Sequence, residues 1–183
     1  MTATLTLSSA SLEELKTYLP RTVEALRQYL AIETADFASG GEARSAARQA
    51  AEALDGRVLT SDTDAPYWPC VLTGLGADPW QALGIAPDEV VTLSGWKNPR
   101  LEQRKVPAVQ ALANLSDSNF DDVGEYVVEE DQEHLAEVGA GLEKHGPLLN
   151  LRLAFPEESA KLIFVVAPVN GELAGVMSLA VET

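Results

Sequence analysis

The chain has little cysteine, little histidine, few bases and no long apolar run. A single cysteine, Cys70, in 183 residues excludes a disulfide framework within the chain, and with it the small secreted scaffolds that depend on one. The same scarcity excludes a conventional structural zinc site, which is built mostly from thiolates and imidazoles. His134 and His145 are the only histidines and stand eleven residues apart. That is about three helical turns, too far apart to share a metal ion. There is no H-E-x-x-H, no G-x-S-x-G elbow and no Walker loop. Gly139-Ala140-Gly141 lies inside a helical pattern and does not follow a strand, so it is not a dinucleotide fingerprint. No stretch approaches the roughly 18 uninterrupted apolar residues of a membrane-spanning helix. The start, MTATLTLSSASLEELK, lacks the basic region and apolar run of a signal peptide. A cytoplasmic protein is expected.

What is abundant is acid. Against 13 bases stand 28 acids, a formal net charge of −15. Direct binding to nucleic acid is disfavoured, because phosphates require cationic neighbours. An acidic surface serves solubility or attracts a basic partner. Between Asp117 and Glu143 there are ten acids and no Lys or Arg. Lys97, Arg100, Arg104 and Lys105 form a small basic cluster. The apolar content of 46% is ordinary for a globular domain, and the length fits a single one.

Leu5 and Leu7 alternate with threonines and read as a short strand or an ordered arm. Ser11 and Glu14 form an S-x-x-E capping box. From Leu12 to Leu30 apolar residues recur at helical spacing, with a break expected at Pro20. A second, Ala-rich helix spans about 42–54 and ends at Asp55-Gly56, where Gly56 takes the left-handed position. Arg57–Thr60 begins a strand, Ser61 to Pro66 is a polar loop, and Tyr67–Thr73 is a strand with Pro69 near its start or edge. A short helix is expected from Asp78-Pro79-Trp80, a strand over Val90–Leu93, and a short helix over Pro107–Leu115. The last helix spans Glu129 to Lys144 and stops at Gly146-Pro147. Leu149–Phe155 alternates as a half-buried strand, and Pro156–Ser159 is a turn. Two apolar strands follow, joined at Asn170-Gly171, a pair tolerant of positive φ. This order predicts an α/β sandwich with a mainly antiparallel sheet.

No catalytic group stands out. Cys70 lies in an apolar strand, the setting of an inert buried thiol. Asp62 and Asp64 begin like a calcium loop, but the glycine at position six and the acid at position twelve are missing.

Three segments carry a family resemblance. They are Leu54-Asp55-Gly56 through Ser61-Asp62-Thr63-Asp64 and Pro66-Tyr67; Ala86-Pro87-Asp88 with Asn98-Pro99; and the ending Leu173-Ala174-Gly175 through Val181-Glu182-Thr183. In this order the chain resembles the nuclease A inhibitor family, small proteins that block sugar-non-specific, metal-dependent endonucleases. The likeness covers about residues 42–183. It implies an α/β/α sandwich over 42–183; residues 1–41, whose apolar spacing is helical, form an extension outside the likeness. It also implies no catalysis and no cofactor, and a basic or metal-dependent nuclease as protein partner. In that family a loop acid and the C-terminal threonine reach the partner's metal region. Here those positions fall on Asp62 and Thr183, with Asp64, Glu182 and Trp96 as further contact residues. The family's loop acid is a glutamate, one methylene longer than Asp62. The competing expectation is an acidic interaction module on the same fold, serving a different basic partner.

Overall fold

The computed structural model describes residues 4–18, 23–24, 27, 31–74, 137–146, 148–155 and 160–181. The expected elements over 78–80, 90–93, 107–115 and 156–159 lie outside these residues. So do His134, Trp96, Glu182 and Thr183, and the acidic block from 117 to 136. Among the described residues, no helix is long and apolar enough to cross a membrane.

The strands are β1 (Thr4–Leu7), β2 (Ala31–Thr34), β3 (Val58–Thr60), β4 (Asp64–Pro66), β5 (Trp68–Thr73), β6 (Leu149–Phe155), β7 (Ala160–Val169) and β8 (Glu172–Val181). Six of them form one sheet in the order β2-β1-β5-β8-β7-β6, and β3 pairs with β4 separately. Every pairing except β1 with β2 is antiparallel. The fold is therefore mixed α/β with a mainly antiparallel sheet, as the order of elements led us to expect.

The first 41 residues do more than add helix. β1 lies inside the sheet, between β2 and β5, with Leu5 and Leu7 fully buried. β2 forms an edge where no strand was expected. Its short, largely exposed A-I-E-T offers no alternation to read, and its partner lies a helix away in the chain. Helix α1 covers Ser9–Tyr18 and so stops short of Pro20. Its cap is Ser8, not Ser11: the Ser11 N–H donates to Ser8 Oγ at 3.1 Å, and the Ser8 hydroxyl donates to Ser11 Oγ at 2.7 Å. The expected box was set three residues late, because Ser8 and Ser11 are equivalent in type and only the backbone turn distinguishes them.

Helix α2 covers Glu42–Ala53, one residue short of the expected end, and Gly56 follows at φ 77°. Helix α3 is described over 137–143 and includes Gly139-Ala140-Gly141. Alternation along the strands assigns the sheet's two faces. On one face Ile163, Val165 and Ala167 lie with Val176 and Ala180, under Ala50 and Leu54 at the α2 end and Leu142 of α3. Continuing this face, Val71, Val169 and Ala174 pack with Ala43, Ala46 and Ala47 of α2. Alanine on the inner side of α2 lets its backbone approach the sheet closely. Trp68, Cys70 and Leu72 alternate onto the opposite face and are buried there. Tyr18 of α1 meets Trp68 edge-on, with ring centroids 6.0 Å apart.

β8 is the interior strand on which the fold turns. It pairs with β5 along Leu173–Met177 and with β7 along its whole length, and every residue from Leu173 to Ala180 is buried. Pro69 is the second residue of β5. Pairing with β1 begins only at the next residue, Cys70, so the missing proline N–H costs that ladder nothing.

Candidate functional site

The expected polar loop from Ser61 to Pro66 is tighter than its sequence indicates. Thr60 pairs with Asp64 and Val58 with Pro66, so only Ser61-Asp62-Thr63 forms the turn. Serine and threonine build it through local bonds. The Ser61 N–H donates to the Thr63 carbonyl at 3.1 Å. The Ser61 hydroxyl donates to the same carbonyl at 2.8 Å and accepts from the Thr63 N–H at 3.3 Å.

This turn is bound to the end of β8. The Val181 N–H donates to Ser61 Oγ at 2.9 Å, and the Asp62 N–H donates to the Val181 carbonyl at 3.0 Å. Pairing with β5 ends at Met177. Further along β8 the turn takes up Val181's backbone groups, with a serine hydroxyl serving as one acceptor. Below it, buried Ser178 makes a second tie. Its hydroxyl lies 2.8 Å from the Pro66 carbonyl and 3.3 Å from that of Ala65. The β3–β4 hairpin thus has two side-chain links to β8, one at the turn and one at the far end of β4.

The hairpin carries two acids at the surface. Asp62 and Asp64 are both exposed and stand two positions apart in the chain, one in the turn and one at the start of β4. The Asp64 carbonyl accepts from the Tyr18 hydroxyl at 3.2 Å, which joins the hairpin to α1. The backbone beneath both acids is therefore held from two directions. Such carboxylates are hard oxygen donors, suited to a cation presented from outside. Among the described residues no group of three or more His, Cys, Asp or Glu side chains is placed to hold a metal ion.

Of the expected contact residues, the hairpin carries Asp62 and Asp64, and β8 ends one residue before Glu182. Trp96, Glu182 and Thr183 lie outside the described residues. Cys70 is free and buried, and burial pushes its thiol pKa far up, which leaves it an inert thiol. A groove of about 350 Å³ runs between α2 and α3, lined by Ala46, Ala50, Val138, Gly141 and Leu142 among others. None of the expected contact residues lines it. Sequence reasoning missed Ser61 and Ser178. Ser61 reads as an ordinary turn residue and Ser178 as a polar break in an apolar run. Their partners are more than a hundred positions away.

No protein-family model matches the chain, and no curated protein matches it in sequence.

Proposed function

We propose that this protein is an acidic inhibitor of a sugar-non-specific, metal-dependent endonuclease, built as an α/β/α sandwich and acting in competition with nucleic acid. The observation that carries the reading is the bond from the Asp62 N–H to the Val181 carbonyl, 3.0 Å long. It joins the acidic turn to the end of β8, two residues before Thr183 in the chain. A nuclease cleft is built for phosphate and presents cations and a divalent metal. Asp62 and Glu182 supply anionic oxygens for such a cleft, and Thr183 a hydroxyl. The three-layer architecture is supported by α2 and α3 on one sheet face and the Tyr18–Trp68 contact on the other.

The test is to titrate a purified endonuclease of this class with the protein. Stoichiometric loss of DNA cleavage is expected. Asp62→Ala, and separately deletion of Glu182 and Thr183, should each raise the inhibition constant roughly 30-fold or more, the scale of a central contact residue. A nuclease that keeps full activity at excess protein refutes the reading. Binding to a basic protein that survives the deletion, but weakens on charge reversal across Asp117–Glu143, would assign a different partner.

A further inference from the structure

We infer that Ser61 is a positioning residue: its hydroxyl locks the Asp62 turn to the last strand before any partner arrives. The hydroxyl has one proton to donate and two lone pairs to accept with. All are used. It donates to the Thr63 carbonyl at 2.8 Å and accepts from the Thr63 N–H at 3.3 Å and the Val181 N–H at 2.9 Å. One side chain therefore closes the turn on itself and binds it to β8. The neighbouring bond, Asp62 N–H to Val181 carbonyl at 3.0 Å, involves no atom of Ser61 but shares the same two backbone segments, so the two bonds reinforce each other. Ser178 fixes the other end of the hairpin but makes no bond to the turn. Ser61 thus helps to hold the Asp62 backbone against the end of β8. A contact residue whose backbone is fixed in advance loses less freedom on binding than one that must be ordered as it binds.

The binding consequence rests on the proposed function; the coupling of the two segments does not. The test compares Ser61→Ala and Ser61→Thr in the full chain by amide hydrogen exchange and by inhibition of a purified metal-dependent endonuclease. In Ser61→Ala the Asp62 amide should exchange roughly tenfold faster, and the inhibition constant should rise roughly tenfold, the scale of one lost hydrogen bond. Amides of β1 and β5 should keep their protection, and Ser61→Thr should restore both readouts. Unchanged exchange at Asp62 overturns the coupling. A uniform acceleration that reaches β1 and β5 overturns it too, since Ser61 would then support the fold as a whole. A Ser61→Ala protein that inhibits normally, while Asp62→Ala does not, overturns the binding consequence. If the unsubstituted protein leaves the nuclease active, the proposed function fails and exchange at Asp62 still decides the coupling.

Discussion

Gly175 has no space for a side chain. It sits in the middle of β8, opposite Cys70 on one side and Val166 on the other. A methyl group there would strike the Val165 carbonyl oxygen and come within 2.9 Å of Val166 Cα and 3.0 Å of the Val165 carbonyl carbon. These are backbone atoms of a strand paired on both sides, so none can swing aside. Gly175→Ala should cost about 3 kcal/mol, the upper part of the usual range for overpacking. The expected result is a lower urea midpoint with an unchanged slope. A midpoint within error of the parent would mean that the strands open here more easily than the packing indicates. This position lies in the L-A-G of the family resemblance, and its demand for glycine has a local cause in close strand approach. Cys70, its partner in register, was legible in the sequence from its apolar neighbours. The steric requirement at Gly175 was not, because the atoms that impose it belong to a strand ten residues away that pairs only in the folded state.

At the scale of elements, the best-read feature is the β7–β8 hairpin. Asn170-Gly171 signals a two-residue turn, and both residues take positive φ, 51° and 78°. Asn170 also donates through Nδ2 to Glu42 Oε2 at 2.8 Å, so the turn is tied to the start of α2. Two contributions can be separated. Asn170→Ala loses the side-chain bond and forces an unsuitable residue into the left-handed region, costing about 2 kcal/mol. Asn170→Gly loses only the bond and should cost no more than Glu42→Ala, about 0.5 kcal/mol for an exposed pair. Chemical denaturation of the three variants checks this, and equal losses in Asn170→Ala and Asn170→Gly would contradict the backbone contribution. The contrast with β2 shows what governs legibility. The hairpin is specified by two adjacent residues and by alternation on either side. β2 has four residues and an exposed pattern, and its existence depends on β1, more than twenty positions earlier. The helix starts divide in the same way. α2 follows a Gly-Gly break that any reading finds, whereas α1 has two candidate serines and the choice is made by backbone geometry.

At the scale of the whole molecule, the proposed function gives the net charge of −15 and the hairpin different parts in binding. In that proposal the hairpin supplies the short-range contacts that hold the complex together. The surplus of acid acts over distance and governs how often a cationic partner arrives in a useful orientation. The basis of the second was legible in composition at once. The first required the link between position 62 and position 181, which no local pattern contains. The two respond differently to salt, which screens charges beyond about 8 Å at 0.15 M ionic strength. In the proposed complex, contacts within the closed interface would lie inside that distance and be shielded from solvent. For an inhibitor working as proposed, the association rate with a nuclease should fall roughly tenfold between about 0.05 and 0.5 M salt, while the dissociation rate changes little. Asp62→Ala should reverse this pattern, raising the dissociation rate and leaving the salt dependence of association almost intact, because one charge among 28 acids barely alters the distant field. Stopped-flow mixing at several salt concentrations separates the two. An association rate indifferent to salt would show that the acidic surface serves solubility and takes no part in capture, leaving the proposed recognition to short-range contacts such as those of the hairpin.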